Sequence, residues 1–218
     1  MNIFLLLITL ILSYLLGSIS TAVWIGRFFH NIDVREHGSG NAGATNVIRV
    51  LGWKTGIPVL IIDVMKAWLA AMLPVFLKLS ENDTGLLTNL QILAGLAAIL
   101  GHIFPVFAGF RGGKGVATIF GTLLAIHPLL TLSCMGVFIS VLLITGYVSV
   151  SSMSAGVAFP LLLFLFYDTP SAFFKIFSIV VAVALIFTHR KNISRLIKGE
   201  ESKIIRKGTK NKKRLYQK

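Results

Sequence analysis

A chain of 218 residues that is 55% hydrophobic and only 13% charged lacks the polar surface a water-soluble fold needs. Its net charge of +13 invites a nucleic-acid reading, but the basic residues crowd the C-terminal end and no nucleic-acid motif accompanies them. The single cysteine, Cys134, excludes an internal disulfide or a cysteine metal cluster and reads as a packed, inert thiol.

Lipid offers the backbone no hydrogen-bond partners, so the apolar segments are expected to be helices and the fold an all-α integral membrane protein. The first apolar segment covers 3–28. It lacks a basic start and is too long for a signal peptide, which makes it a retained span. A polar, glycine-rich segment follows at 30–56. The second span is expected at 57–77, ending at the acidic turn SENDTG, and the third at 86–107. The loop FRGGKG comes next. The apolar stretch 116–187 is interrupted by HP at 127–128, GYVSVSS at 146–152 and YDTP at 167–170. Proline and glycine favour helix ends at these breaks, leaving four pieces. Some are shorter than the ~20 residues of a full crossing, so the expected total is about seven membrane helices, or about five if the short ones are re-entrant. One membrane domain, 1–198, is followed by a basic tail, 199–218.

Lysine and arginine set the orientation. With the N-terminus outside, the inner loops hold Arg27, Arg35, Arg49, Lys54, Arg111, Lys114 and the tail, while the outer loops hold Lys78, Glu81, Asp83 and Asp168. This is a positive-inside pattern, and it places the C-terminus and its lipid-binding basic tail on the cytoplasmic side. The segments 30–56, 109–115, 146–152 and 189–201 then share one face.

These segments carry the chemistry. HGSGNAGATNVIRVLG supplies Ser39, Asn41, Thr45 and Asn46 as hydrogen-bonding groups and Arg49 as a fork for phosphate or carboxylate. A helix opening at Ala44 or Thr45 puts Asn46 and Arg49 on one face. In GHIFPVFAGFRGGKGVAT, a Walker A loop is excluded twice, by Ala108 where glycine is required and by Gly115 where serine or threonine is required. What remains is a glycine turn into a helix at about 116, with Lys114 beside it, suited to an anion or serving as a simple connection. In HRKNISRLIKGEE, His189, Asn192 and Arg195 recur every three residues. His189 sits where an imidazole can orient a hydroxyl or move a proton. Arg190, Lys191 and Lys198 read as contacts to lipid headgroups, and Glu200 and Glu201 as fixing the tail. Ser149, Ser151 and Ser152 come to the same face, with helix capping as their plainer role. Within the second span, Asp63 and Lys66 are spaced to pair, as a structural ion pair or in a transport role.

Together the stretches SGNAGATNVIRVLG, GHIFPVFAGFRGGKGVAT and HRKNISRLIKGEE resemble the bacterial membrane acyl-phosphate:glycerol-3-phosphate acyltransferases, in order and over most of the chain. The resemblance implies seven spans in the bacterial inner membrane, a cytoplasmic active site, and no cofactor or metal. It also implies acyl transfer from acyl-phosphate to the 1-hydroxyl of glycerol-3-phosphate, giving lysophosphatidic acid and phosphate. On that reading Arg49 and Lys114 hold the glycerol-3-phosphate phosphate, joined by Asn41 and Asn46. His189, Asn192 and Ser39 serve catalysis. Gly112, Gly113, Ser149, Ser151 and Ser152 cradle the acyl-phosphate. The expected protein is a monomer, with the enzyme that forms acyl-phosphate as a partner. A His–Asp acyltransferase mechanism is excluded, because none of the five histidines has aspartate five positions on. A transporter for an organic phosphate would carry polar residues across the bilayer, whereas here they collect at one side.

Overall fold

The computed structural model describes residues 3–167 and 171–204. Most of the expected tail, from 205 on, and Asp168 lie outside the described residues. The described residues form helices α1 (Ile3–Ser18), α2 (Thr21–His30), α3 (Ala44–Leu51), α4 (Trp53–Phe76), α5 (Thr84–Ile103), α6 (Val116–Ile126), α7 (Pro128–Thr145), α8 (Val148–Phe166), α9 (Ala172–Thr188) and α10 (Arg190–Ile197), with no strand among them.

The sequence breaks become helix ends for local reasons. At 127–128, Pro128 opens α7, and the His127 ring accepts the Leu130 amide. Gly146 closes α7 in the left-handed conformation at φ 76°. Asp83 caps α5 by accepting from the Leu86 amide at 2.8 Å, and Ser171 caps α9 through the Phe174 amide at 3.0 Å.

Four helical segments are long and apolar enough to cross a bilayer, and the bent pairs α1–α2 (41°) and α9–α10 (53°) raise the number of candidate spans to six. The seventh expected crossing is α6. Its 11 residues rise only about 17 Å, little more than half the hydrocarbon thickness. The break at Ile19–Ser20 inside the first apolar segment has no proline or glycine to announce it. Lys66 donates to the Ile19 carbonyl freed there, at 2.6 Å. Lys66 also pairs with Asp63 at 2.7 Å, so the two deep charges satisfy each other.

Small residues bring the helices close. A Cβ on Gly17 would strike the Ala98 carbonyl, one on Gly101 the Tyr14 carbonyl, and one on Gly121 the Val64 carbonyl. These contacts seat α1 on α5 and α6 on α4, as expected where lipid removes the hydrophobic drive between helices. A core of Ile92, Leu130, Phe159, Leu163, Phe174 and Phe177 joins α5, α7, α8 and α9. Phe159 meets Phe174 edge-on at 5.8 Å. Ile144 and Leu165 project outward, as lipid-facing side chains do. This scaffold leaves the polar segments together around one cavity.

Candidate active site

The cavity has a volume of about 350 Å³, and all four polar segments reach it. Ser39, Asn41 and Arg49 line it from the first segment, Lys114 and Gly115 from the second, Ser149 and Ser152 from the third, and His189, Asn192 and Glu201 from the last. It continues between the helices past Phe120, Leu123, Met135, Phe138, Leu142 and Val181, which are all apolar.

The loop before α3 is held from within. Asn46 is 2% exposed. Its Oδ1 accepts from the Ser39 amide at 2.8 Å and the Ser39 hydroxyl at 3.1 Å, and its Nδ2 donates to the Val34 and His37 carbonyls at 2.8 and 3.0 Å. Both donors and both lone pairs of the amide are thus occupied. Asn46 therefore holds the loop that presents Ser39, and it also lines the cavity. Arg35 ties the same loop to the next by donating to the Ala108 carbonyl at 2.6 Å and to Asp33 at 2.7 Å. Chiefly through hydrogen bonding to Arg35, the Asp33 carboxyl stays far below the usual carboxylate range.

The glycine loop also departs from expectation. The Gly112 and Gly113 amides donate to the Ile103 and His102 carbonyls at 3.2 and 3.1 Å, which leaves neither for an anion. A Cβ at Gly112 would overlap the His102 carbonyl, and one at Gly113 its imidazole. Close packing, rather than an amide cradle, explains these two glycines. The loop instead leads through left-handed Gly115 into the start of α6, whose Val116 and Ala117 border the cavity. First-turn amides have no acceptor within their own helix.

The serines divide. Ser149 donates to Glu201 Oε1 at 3.1 Å, and Ser152 donates to the Val148 carbonyl at 2.8 Å; both line the cavity. Ser151 is fully buried and donates to the Tyr147 carbonyl. It does not border the cavity, so its expected place in the phosphate cradle is corrected to helix packing.

Lys114 donates to Asn192 Oδ1. Burial lowers the pKa of its ammonium to about 8, against Glu201, which raises it, while Arg195 and Arg49 lower it further. Asn192 Nδ2 donates to Glu201 Oε1 at 2.7 Å, and Arg195 donates to Oε2 at 2.7 Å. Burial alone would raise the Glu201 carboxyl, but the hydrogen bonds from Arg195, Asn192 and Ser149 outweigh it and hold it low. Glu201 thus fixes the chain after α10, as the sequence suggested, and also anchors the residue that Lys114 touches. That second role went unread: an acid nine positions after Asn192 is the only signal for it. The turn is completed by the Ile204 amide on the Gly146 carbonyl at 3.0 Å.

His189 is 2% exposed and donates from Nδ1 to the Leu185 carbonyl at 2.8 Å. A carbonyl only accepts, so Nε2 is left as the acceptor. Arg49, Lys114 and Glu201 line the cavity with this imidazole, and Arg195 acts on Lys114 from beside Glu201, a field with a positive balance suited to phosphate.

Known proteins resemble this chain over most of its length. The glycerol-3-phosphate acyltransferase family matches over residues 7–199. A glycerol-3-phosphate acyltransferase of Chlorobium chlorochromatii is 42% identical, covering 91% of this chain and 97% of its own. One from Chlorobium luteolum is 41% identical, covering 91% and 96%. Among solved structures, PlsY (YgiH), an integral membrane glycerol 3-phosphate acyltransferase in its glycerol 3-phosphate form, is 37% identical with a TM-score of 0.82, covering 92% of this chain and 96% of that one. The same protein in its lysphosphatidic acid form gives a TM-score of 0.79. This chain is an integral membrane acyltransferase and belongs to the glycerol-3-phosphate acyltransferase family.

Proposed function

We propose that the enzyme transfers a fatty acyl group from acyl-phosphate to the 1-hydroxyl of glycerol-3-phosphate at the cytoplasmic face of the bacterial inner membrane. The observation that carries this reading is a single cavity with a cationic mouth and an apolar extension. Such a space suits a soluble phosphate and a lipidic one together. Arg49 and Lys114 hold the glycerol-3-phosphate phosphate, with Ser39 and Asn41 at the same wall. The acyl chain lies along Phe120, Met135, Phe138 and Leu142.

The hydroxyl oxygen attacks the acyl carbon, the bond from that carbon to the phosphate oxygen breaks, and phosphate leaves with the electron pair. The hydroxyl proton passes to a substrate phosphate oxygen or to His189 Nε2. The mixed anhydride is already activated, so positioning and charge neutralisation supply much of the rate. Lysophosphatidic acid and inorganic phosphate are the products, and the solved relative in its lysphosphatidic acid form supports the first of them.

The deciding experiment compares donors. Purified enzyme given glycerol-3-phosphate should release phosphate and form lysophosphatidic acid with acyl-phosphate, and should be inactive with acyl-CoA or acyl carrier protein. Preference for either of the latter would refute the proposed donor.

A pH dependence follows from Lys114. Its ammonium loses charge as pH rises through about 8, so kcat/KM for glycerol-3-phosphate should decline above that pH in the free enzyme's profile. Lys114→Arg should carry the declining limb to higher pH. A flat profile from pH 7 to 10 would separate Lys114 from phosphate binding.

A further inference from the structure

Beneath the glycine loop lies a buried cluster that the chemistry above leaves unused. Asp63, Lys66 and His102 are 2%, 4% and 7% exposed. Asp63 Oδ1 receives Lys66 Nζ at 2.7 Å and the Thr21 hydroxyl at 3.0 Å. Lys66 also donates to the Ile19 carbonyl at 2.6 Å and meets His102 Nδ1 at 3.2 Å. All three ammonium hydrogens therefore have acceptors, and His102 Nδ1 is one of them. An imidazole that accepts at Nδ1 carries its proton on Nε2.

That proton has no partner among the described residues. Nε2 makes no hydrogen bond to a described side chain or carbonyl. It is also absent from the fully enclosed unpaired side-chain atoms, which among the described residues are Ser18 Oγ and Thr122 Oγ1. Nε2 is therefore not fully enclosed, and His102 is one of the residues that line the active-site cavity. Gly113 packs on this edge of the ring, and only a residue without a Cβ leaves Nε2 unblocked, since a Cβ there would overlap it. Lys66 fixes the tautomer by donating to Nδ1, and Asp63 is neutralised by Lys66 and accepts a hydrogen bond from Thr21. The cluster thus presents one neutral donor to the cavity that Lys114 also lines, without adding a further positive charge.

We propose that His102 is a further substrate-binding residue, its Nε2–H donating to a phosphate oxygen in the cavity. This inference rests on the proposed use of two phosphorylated substrates. The phosphate is that of glycerol-3-phosphate or that leaving the acyl donor, and two probes separate these sources.

The test is calorimetry in detergent with glycerol-3-phosphate and with inorganic phosphate, on the full chain and on His102→Gln and His102→Asn. Glutamine reaches the Nε2 position with an amide donor. Asparagine reaches only the Nδ1 position facing Lys66. Loss of one hydrogen bond to a charged phosphate should weaken binding on the order of tenfold in the asparagine variant, with most of the affinity kept by glutamine. Loss for glycerol-3-phosphate alone assigns the donor to that substrate, and loss for inorganic phosphate alone assigns it to the leaving group. Equal affinities across the three proteins, or equal losses in both variants, would overturn the proposal. Binding is read without turnover, so an enzyme that failed to use acyl-phosphate would refute the proposed reaction while these affinities still judged His102.

Discussion

Replacing Lys114 with alanine should lower kcat/KM for glycerol-3-phosphate by about 10²- to 10³-fold, the range seen when a preorganised charge-stabilising donor is removed. The size of the effect follows from where the charge sits. Lys114 is buried enough for its ammonium to be depressed to about 8, so a phosphate beside it is attracted through little intervening water. Its direction toward the cavity is set by Asn192, which is in turn held by Glu201. Arg49 is exposed, and it donates to the Ser202 carbonyl only at a long 3.5 Å. Arg49→Ala should therefore cost less, about 10- to 100-fold and mostly in KM, because an exposed charge is screened. Melting temperature should barely move in Lys114→Ala, since the variant removes a half-buried cation that has two others nearby. Steady-state kinetics on folded protein decides the matter. Full turnover in both alanine variants would remove the phosphate assignment altogether.

The membrane class and most helix boundaries were legible because proline, glycine and capping residues act locally. HP at 127–128 and the glycine at 146 mark ends that the chain obeys. The helix expected to open at Ala44 or Thr45 begins at Ala44. The break at Ile19 was not legible, since what stabilises it is Lys66, 47 residues away. The site divides along the same line. Arg49, Lys114, Ser39, Asn41, His189 and Asn192 come together at the cavity as their motifs implied. The sequence showed that Asn46, Ser151, Gly112 and Gly113 are polar or small, which is a property of residue type. It did not show that their hydrogen bonds and space are taken up by neighbouring backbone, which is a property of tertiary contact. His102 was visible inside a motif, but its tautomer depends on a lysine on another helix.

The second large effect is expected at Glu201, and it should show both in stability and in the pH profile. Its carboxylate accepts from Ser149, Asn192 and Arg195, joining the start of α8, helix α10 and the chain beyond it. The side chain is only 5% exposed, while Arg195 is 30% exposed, so part of the interaction is screened by water. Glu201→Ala should therefore destabilise the protein by about 2–3 kcal/mol, below the full cost of breaking a deeply buried pair. A thermal melt in detergent should fall by several degrees. Glu201→Gln keeps an oxygen acceptor for Asn192 and loses only the charge, so it should melt closer to the original protein. Its kinetics carry the sharper signature. Glu201 raises the Lys114 pKa against the lowering by burial, Arg195 and Arg49. Without that negative charge the Lys114 ammonium is harder to keep, and the alkaline limb of kcat/KM should move below pH 8. A merely structural glutamate would leave the limb where it was in whatever enzyme remains folded. A limb unmoved in Glu201→Gln, with near-normal stability, would show that Glu201 pins the chain without setting the charge state of Lys114.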